Sequence, residues 1–309
     1  MNIVITCPRY FSEIEHLKSK LSDDFQLDYF APIDQGFSAN EMKDKLSNAT
    51  IAIIGDDEIN DNVLSNSHDL KLLIKWGVGT DNIDIESKDT YPNLQIFNSP
   101  ADIYIDVAEH IIFLIGSLYK KIPTIHNHIR EQGKWSKPIG TRLYGKNIGI
   151  IGYGSIGKQV SKLLNSFETD VYFHDPEVEN NHAQYAEKKN LEYIQKNSEV
   201  IIISASLNSQ TNQLINKKFF DSLGKIPIVV NVSRGKIINE NDLVSALEDQ
   251  QLLGCALDVF EEEPISLKSD LKNFENVILS SHNASNTQEA NNSVNSQVTE
   301  ILLKWFNDA

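Results

Sequence analysis

The sequence predicts an α/β protein made of two doubly wound parallel-sheet domains. Short β-branched runs alternate with segments rich in helix formers along almost the whole chain, which favours parallel strands covered by helices on both faces. The alternation stops once, near residue 100, where a long helical pattern replaces it before a second series of strands begins. The chain has 309 residues, which is enough for two domains that each have a core.

The first series predicts five strands and a domain over 1–98. Its apolar runs are NIVIT, FQLDYF, TIAIIG, LKLLIKW and NLQIFN, and segments such as EIEHLKSKL and ANEMKDKLSNA between them have the composition of helices. The last long helical pattern, TQEANNSVNSQVTEILLKWF, is expected to pack back on this domain. We therefore assign 287–309 to the first domain.

The second series predicts six strands and a domain over 99–286. It opens with the helical pattern ADIYIDVAEHIIFLIGSLYK, and its strands are expected at 146–154, 169–176, 199–205, 226–233, 252–260 and 276–282. Six is the number of strands in a complete dinucleotide-binding sheet. Ligands of such folds bind at the carboxyl ends of the strands, so we expect a cleft between the two domains to hold the site.

Charge, cysteine content and apolar runs indicate which partners the chain is not expected to bind. The net charge of −15 would repel a phosphate backbone, so nucleic acid is not an expected partner. Cys7 and Cys255 fit neither a CxxC nor a zinc-ligand spacing, so neither a disulfide framework nor a metal site is predicted. The N-terminus lacks a signal-peptide apolar region and the run IIFLIGSLY is too short for a bilayer, so we expect a cytoplasmic enzyme without membrane contact.

A glycine-rich turn opens the second series of strands. Residues 152–157 read GYGSIG, after the predicted strand NIGIIG and before the helical segment SIGKQVSKLLNSF. In a G-x-G-x-x-G turn of this kind Gly152 would permit the tight turn, Gly154 the approach of a pyrophosphate, and Gly157 close packing of helix on sheet. Asp175 follows about 20 residues on, as expected of an acid that binds ribose hydroxyls, and its charge favours NAD over NADP.

Polar residues follow three predicted strands of the second domain. Arg234 comes after IVVNVS, Asp258 lies at the end of CALDVF with Glu263 just after it in EEEP, and His282 comes after VILSS. A histidine can take the proton of a 2-hydroxy acid while hydride leaves C2, and a carboxylate beside it favours the imidazolium and fixes its tautomer. An arginine can hold the substrate carboxylate by paired hydrogen bonds. We therefore predict Arg234, Glu263 and His282 as the catalytic residues.

Several motifs together resemble a known family. The segments GTRLYGKNIGIIGYGSIGK, NVSRGKIINENDLVSAL, GCALDVFEEEP and LSSHNASNTQEA are similar, in order and spacing, to those of the D-isomer-specific 2-hydroxyacid dehydrogenases, above all their phosphoglycerate dehydrogenase-like branch. The resemblance covers nearly the whole chain. It implies a flavodoxin-like substrate domain, a Rossmann NAD-binding domain, and a homodimer formed through the cofactor domains by the long helix and the arm near 120–145.

The resemblance also implies further site residues. It gives Arg234, Glu263 and His282 the roles stated above. The loop of KWGVGTDNID would meet the substrate carboxylate through Val78 and Gly79. Residues along the cofactor would be Ser155, Ile156, Ala205, Val232, Ser233, Asp258 near the nicotinamide carboxamide, and the small Ser285.

The chain departs from the family at the histidine. Family members usually continue with an apolar residue and then small residues rich in glycine, whereas this chain reads Asn283-Ala284-Ser285. The family often places a proline where this chain has Ser206. These changes bear on the geometry near the nicotinamide and on substrate size, and they leave the three catalytic residues untouched.

The choice of substrate stays open between phosphoglycerate and a glyoxylate or hydroxypyruvate type of acid. The acids in GDDE at 55–58 argue against a phosphate at that loop. Arg9, just past the first strand, is a candidate for the distal end of the substrate, with Lys75 as a possible neighbour. Rival functions are an NAD-sensing scaffold of the corepressor kind, or an enzyme for formate or phosphite; Trp76 stands where a phosphite enzyme would want a lysine.

Overall fold

The chain folds as an α/β protein with parallel sheets, as predicted. The computed structural model describes residues 1–21, 25–33, 35–84, 90–179 and 183–308. Contacts divide the chain into two compact units, which we call unit 1 (1–103 with 286–309) and unit 2 (104–285). The domain limits expected from the sequence are 1–98 with 287–309, and 99–286.

Short strands and helices alternate along the described parts of both units. The first stretch of unit 1 contains β1 (Asn2–Ile5), α1 (Ile14–Lys20), β2 (Gln26–Tyr29), α2 (Ala39–Lys45), β3 (Ile51–Ile54), β4 (Ile59–Asn60), α3 (Asp61–Leu64), β5 (Leu72–Lys75), β6 (Ile83–Asp84) and β7 (Gln95–Asn98). Unit 2 contains α4 (Tyr104–Tyr119), α5 (Ile122–Gln132), β8 (Asn147–Ile151), α6 (Ser155–Leu164), β9 (Asp170–His174), β10 (Glu187–Lys188), α7 (Leu191–Asn197), β11 (Val200–Ile203), α8 (Lys217–Asp221), β12 (Ile228–Asn231), α9 (Glu240–Glu248), β13 (Gly254–Leu257) and β14 (Val277–Leu279). The chain then returns to unit 1 in α10 (Gln288–Asp308).

The main sheet of unit 1 has the order β2-β1-β3-β5-β7 with all pairs parallel, and β4 and β6 form a separate two-stranded sheet. The main sheet has the doubly wound order of flavodoxin-like domains, in which the chain reverses direction beside the first strand. Side chains of β1, β3 and β5 form a core cluster with α10, to which the helix contributes Val294, Val298 and Leu302. Their four-residue spacing places them along one helix face, which explains why the final helical pattern is amphipathic.

The sheet of unit 2 has seven parallel strands in the order β10-β9-β8-β11-β12-β13-β14. Six of them are the strands expected from the sequence, namely β8, β9, β11, β12, β13 and β14. The run β10-β9-β8-β11-β12-β13 has the 3-2-1-4-5-6 order of a dinucleotide-binding sheet, and β14 extends it at one edge. The expected number of strands in this sheet, six, was therefore one too few. The additional strand, β10, has two residues, Glu187 and Lys188, and lies at the edge of the sheet. A polar pair of this length carries no apolar alternation that could reveal a strand.

Helix α4 is fixed against the sheet of unit 2. Its buried residues, Val107, Ala108, Ile111, Leu114, Ile115 and Tyr119, recur every three or four positions and belong to the same core cluster as the strands β8, β11 and β12. None of the helices in the described ranges is both long and apolar enough to cross a membrane.

Candidate active site

Three neighbouring strands of unit 2 end beside one another. β12, β13 and β14 are adjacent and parallel, so their carboxyl ends share one edge of the sheet. Arg234, Asp258 and His282 follow these strands within three residues. The topology therefore gathers an arginine, an acid and a histidine at one sheet edge, as the sequence predicts.

Glu263 and His282 are in direct contact. His282 Nδ1 lies 2.8 Å from Glu263 Oε2. The second carboxylate oxygen, Oε1, accepts the backbone N–H of Phe260 at 2.9 Å, so both oxygens of Glu263 are oriented. The carboxylate accepts a hydrogen bond only from a protonated Nδ1, so this contact fixes the tautomer of the ring and stabilises its imidazolium form.

The backbone of His282 is in the left-handed region. Its φ is +52°, a conformation that costs a residue with a side chain roughly 1–2 kcal/mol. The N–H of His282 donates to the carbonyl oxygen of Asp258 at 2.7 Å. This backbone bond joins the ends of β13 and β14 and helps to hold the unusual turn.

The carboxylate of Asp258 organises the same turn. Asp258 is 1% exposed, and it accepts the N–H of Asn283 at 2.9 Å, the N–H of Ala284 at 3.0 Å and the hydroxyl of Ser280. Successive backbone N–H groups around one carboxylate form an anion nest. The side chain of Asp258 thus faces the turn of His282. Its assignment to the nicotinamide carboxamide stays a prediction.

Asn231 and Gly235 shape the loop that carries Arg234. Asn231 is fully buried; its Nδ2 donates to the carbonyl of Arg234 at 3.0 Å, and its Oδ1 accepts the N–H of Ser233 at 3.1 Å. The guanidinium donates from Nη1 to the carbonyl of Ser233 at 2.8 Å. A Cβ added to Gly235 would lie 1.8 Å from the carbonyl carbon of Phe260, so only glycine fits there. The arginine loop therefore touches the turn that orients Glu263.

The glycine loop between β8 and α6 fits a pyrophosphate. Gly152 has φ +90°, and a Cβ on Gly157 would lie 2.6 Å from the carbonyl oxygen of Gly152, so both positions need glycine. Gly154 caps the ten-residue helix α6 and has open space where a Cβ would point. Ser155 and Ile156 form its first turn, where free N–H groups and the helix dipole favour an anion. The loop has the close-approach geometry that the sequence predicts for NAD.

Asp175 is tied to the glycine loop. Its Oδ2 accepts the N–H of Tyr153 at 2.7 Å and its Oδ1 accepts the N–H of Glu177 at 3.0 Å. Each carboxylate oxygen has two lone pairs, so Asp175 retains capacity for ribose hydroxyls. Tyr153 itself is buried and stacks on Phe173 with ring centroids 4.0 Å apart, which anchors the loop.

The remaining cofactor candidates lie in neighbouring loops of unit 2. Ala205 follows β11, and its carbonyl accepts the hydroxyl of Ser233. Val232 and Ser233 follow β12 and are buried, and Ser285 is half-buried after the turn of His282. These positions agree with strand-end placement, and their contacts with a cofactor stay predictions.

The substrate candidates outside unit 2 belong to unit 1. Val78 and Gly79 follow β5, where the N–H of the preceding Gly77 donates to Ser99 Oγ at 2.8 Å and Gly77 itself has φ +97°. The guanidinium of Arg9 stacks 4.9 Å from the centroid of the Trp76 ring. The roles of Arg9, Val78 and Gly79 stay predictions.

The acids that follow β3 are all engaged. Asp56 Oδ1 accepts the ammonium of Lys75 at 3.0 Å, and Glu58 Oε2 accepts the N–H of Ala39 at 3.0 Å. Asp57 is fully buried and accepts Thr6 Oγ1 together with two backbone N–H groups, while burial raises its pKa. Lys75 is therefore neutralised by its neighbour, and no three His, Cys, Asp or Glu side chains converge as a metal site in the described parts of the chain.

Sequence reasoning missed several residues of this edge. Asn231 and Gly235 each carried a signal, because a polar residue ended a β-branched strand and a glycine followed the predicted catalytic arginine. Ser280 and His110 carried none. His110 lies within a helical pattern 170 residues before Ser280, and only the fold brings its Nε2 to 3.3 Å from Ser280 Oγ.

A family model matches this part of the chain. Residues 112–284 match the description "D-isomer specific 2-hydroxyacid dehydrogenase, NAD binding domain". A glyoxylate/hydroxypyruvate reductase of Arabidopsis thaliana is 32% identical over 252 residues, which cover 80% of this chain and 76% of that protein. A D-3-phosphoglycerate dehydrogenase of Archaeoglobus fulgidus is 32% identical over 257 residues, 82% of this chain and 48% of that protein.

The fold has solved counterparts. The structure of D-lactate dehydrogenase from Aquifex aeolicus, complexed with NAD and lactic acid, superposes with a TM-score of 0.85 at 20% identity, covering 100% of this chain and 96% of that one. At this identity the likeness shows the fold. Against the similar phosphoglycerate dehydrogenases the chain spans about half of their length, between 44% and 52%.

Proposed function

The chain belongs to the D-isomer specific 2-hydroxyacid dehydrogenases, a family of NAD-dependent oxidoreductases, and on this premise we propose that it transfers a hydride between NAD(H) and C2 of a small D-2-hydroxy or 2-oxo acid. The observation that carries the proposal is the contact between Glu263 and His282 at the sheet edge that also carries Arg234. Bound NAD(H) supplies the acceptor or donor of the hydride. Gly152, Gly154 and Gly157 would hold its pyrophosphate at the start of α6.

His282 would be the general acid and base. Its Nδ1 is held by Glu263, so Nε2 is the ring nitrogen that would exchange a proton with the oxygen on C2. When a 2-hydroxy acid is oxidised, the hydroxyl proton passes to Nε2 while hydride leaves C2; in reduction both transfers reverse. Glu263 stabilises the imidazolium that forms, and it prevents the ring from rotating away.

Arg234 would bind the substrate carboxylate. A guanidinium offers paired donors in a plane, and two parallel hydrogen bonds orient the acid as well as holding it. Asn231 and Gly235 support this role because they fix the backbone on both sides of the arginine.

We favour an unphosphorylated substrate of the glyoxylate or hydroxypyruvate type over phosphoglycerate. A phosphate needs unneutralised positive charge, whereas Lys75 is paired with Asp56 and the whole chain carries a net charge of −15. The relatives include both a glyoxylate/hydroxypyruvate reductase and phosphoglycerate dehydrogenases, so similarity alone favours neither.

A panel of 2-oxo acids with NADH tests this proposal, followed by loss of cofactor absorbance. We expect turnover with glyoxylate or hydroxypyruvate at a kcat/KM at least about tenfold above that with 3-phosphohydroxypyruvate, a difference of about 1.4 kcal/mol. Turnover fastest with the phosphorylated acid would contradict the substrate choice. Tight NADH binding without turnover of any acid would contradict the enzymatic proposal and favour an NAD-sensing scaffold.

Asp175 should select NAD over NADP. Removing its carboxylate in Asp175→Ala takes away both the ribose acceptor and the charge that repels a 2′-phosphate. We expect the Kd for NADH to rise about tenfold, the worth of one charge-assisted hydrogen bond, while the Kd for NADPH falls. Fluorescence titration measures both. Asp170→Ala, at the exposed first position of the strand β9 that precedes Asp175, is the matched control. An unchanged ratio of the Kd values for NADH and NADPH in Asp175→Ala would contradict the assignment.

Arg9 is the proposed contact for the distal end of the substrate. Its guanidinium lies on the Trp76 ring, and Trp76 is in turn held by a 2.8 Å hydrogen bond to Asn295, so the arginine has a rigid support. We expect Arg9→Ala to raise KM about fivefold for the larger accepted acids, with little change for glyoxylate. Lys71→Ala, which removes an exposed cation elsewhere in unit 1, controls for charge. An unchanged KM for every accepted acid would remove Arg9 from the site.

We propose that the chain forms a homodimer through α5 and the arm that follows it. None of the eleven residues of α5, all of them described, is buried, while Ile122, Ile129, Trp135 and Ile139 are 54%, 46%, 79% and 91% exposed. Apolar side chains at this density on a helix and its extension fit a second copy of the same surface.

A double variant tests the dimer. We expect Trp135→Ser with Ile139→Ser to shift the mass measured by light scattering from dimer to monomer at micromolar concentration, because it removes two large apolar anchors. Leu267→Ser is the matched control, since Leu267 is 92% exposed elsewhere in unit 2. A double variant with the unchanged mass of a dimer would contradict this interface.

A further inference from the structure

A chain of polar side chains joins helix α4 to the turn that carries His282. His110 Nε2 lies 3.3 Å from Ser280 Oγ and 3.7 Å from Asp258 Oδ1. Ser280 in turn donates its hydroxyl to Asp258. The serine hydrogen is thus committed to the carboxylate, so Ser280 Oγ accepts from a protonated Nε2 of His110. We name these three residues the His110–Ser280–Asp258 chain.

The buried carboxylate needs these donors. Asp258 is 1% exposed, and a buried charge is stable only where hydrogen bonds replace the lost water. Two of its donors are the N–H groups of Asn283 and Ala284, which belong to the turn itself. The third donor is the hydroxyl of Ser280, which His110 Nε2 orients from helix α4, and His110 itself lies 3.7 Å from Asp258 Oδ1. Ser280 and His110 therefore decide the direction in which the carboxylate points.

The orientation of Asp258 determines the backbone of His282. Three successive N–H groups, those of His282, Asn283 and Ala284, donate to the carbonyl and carboxylate oxygens of Asp258. These bonds offset the cost of the left-handed conformation at His282. A carboxylate that rotated would release two of them, and the turn could then relax toward an ordinary conformation that carries the imidazole away from Glu263.

Helix α4 is a rigid support for His110. Its neighbours Val107, Ala108 and Ile111 are buried in the core cluster of unit 2, whereas the side chain of His110 is 25% exposed. The helix face that packs on the sheet thus fixes the position of His110 relative to β13 and β14. His110 Nε2 can then act as a hydrogen-bond donor to Ser280 Oγ from a fixed position at the edge of the core.

We propose that His110 and Ser280 are positioning residues of the reaction: they orient Asp258, and through it they hold His282 in contact with Glu263. The proposal rests on the proposed function in one respect, the role of His282 as acid and base. It adds two residues that touch no reacting atom and that act through a third.

Paired substitutions separate the hydrogen bond from packing. His110→Leu and Ser280→Ala remove one link each, whereas His110→Gln and Ser280→Thr keep a donor or hydroxyl in a similar place. We expect kcat to fall about tenfold in His110→Leu and in Ser280→Ala, while KM and the Kd for NADH stay within twofold of wild type. The double variant should show no larger fall in kcat than either single variant, because both substitutions interrupt the same chain of hydrogen bonds. His110→Gln and Ser280→Thr should keep kcat within threefold. Ser281→Ala and His16→Leu, both at exposed positions, serve as controls.

A second readout requires no turnover. Amide hydrogen exchange of Asn283 and Ala284 reports directly on their bonds to Asp258. We expect exchange about tenfold faster at these two amides in His110→Leu and Ser280→Ala, with wild-type exchange in β13 and β14. The strands act as an internal check that each variant is folded.

The outcomes distinguish the two proposals. Amide exchange at wild-type rates in both His110→Leu and Ser280→Ala would overturn the positioning role. A kcat as low in His110→Gln as in His110→Leu would also overturn it. If the wild-type protein oxidised no NADH with any acid, the proposed function would fail, while faster exchange in the variants would still support the structural link. Faster exchange together with an unchanged kcat would refute the connection to catalysis.

Discussion

Replacing His282 by alanine is expected to lower kcat by about 10³-fold while the Kd for NADH stays within threefold. General acid–base catalysis contributes about 10²–10⁴-fold, and the glycine loop and Asp175 lie on other strands of the sheet. Single-turnover oxidation of NADH gives the rate and fluorescence titration gives the Kd. A loss of NADH binding as large as the loss of rate would make His282 a structural residue.

The unusual backbone of His282 calls for a second variant. Asparagine tolerates the left-handed region better than alanine, so His282→Asn keeps φ near +52° while removing the acid and base. We expect it to be as inactive as His282→Ala but more stable. Glu263→Gln should lower kcat by less than His282→Ala does, about tenfold to 10²-fold. The amide oxygen of glutamine can still accept the hydrogen bond from His282 Nδ1, but it does not stabilise the imidazolium. An active His282→Asn would exclude proton transfer by this residue.

Replacing Arg234 by leucine is expected to lower kcat/KM for the accepted 2-oxo acid by about 10³-fold. Hydrogen bonds to charged groups contribute about 1.5–3 kcal/mol each, and the arginine would make two to the substrate carboxylate. Arg234→Lys should recover less than a tenth of this loss, since an ammonium cannot reproduce the paired geometry. Steady-state kinetics over a range of acid concentrations measures the effect.

Lys236 offers a matched control for Arg234. It is an exposed cation on the same loop, two residues further along, so Lys236→Ala tests loss of charge alone. We expect its kcat/KM to stay within threefold of wild type. If Lys236→Ala lost as much as Arg234→Leu, the effect would come from the general field of the loop, and the proposed clamp would be wrong.

Parallel strands made much of the site predictable. The apolar runs that end before Arg234, Asp258 and His282 are short and bounded by polar residues, so their carboxyl ends could be found without a structure. The glycine loop was predictable because its spacing reflects a steric need, which the absence of room at Gly152 and Gly157 bears out. Family likeness then added roles that spacing alone does not give.

Side-chain direction was the part that the sequence could not supply. The sequence placed Asp258 at a strand end, but it did not show that the carboxylate accepts the N–H groups of Asn283 and Ala284, which the left-handed His282 brings toward it. The acids after β3 were predicted to disfavour a phosphate at that loop, but their partners in unit 1, such as Lys75, Thr6 and Ala39, were not predicted. Such pairings join residues far apart in sequence, so no local pattern reports them.

The return of α10 to unit 1 has a consequence for the order of folding during synthesis. Val294, Val298 and Leu302 cover a core that β1, β3 and β5 begin, and all of unit 2 is translated between these two parts. Domains usually fold in the order in which they leave the ribosome. Here the later unit is continuous in the chain and can complete its core first. Ribosome-bound chains in which residue 285 is followed by an unrelated linker that spans the exit tunnel should therefore contain a protease-resistant unit 2 and a protease-sensitive segment 1–103. Protease resistance of both parts would refute this reversed order.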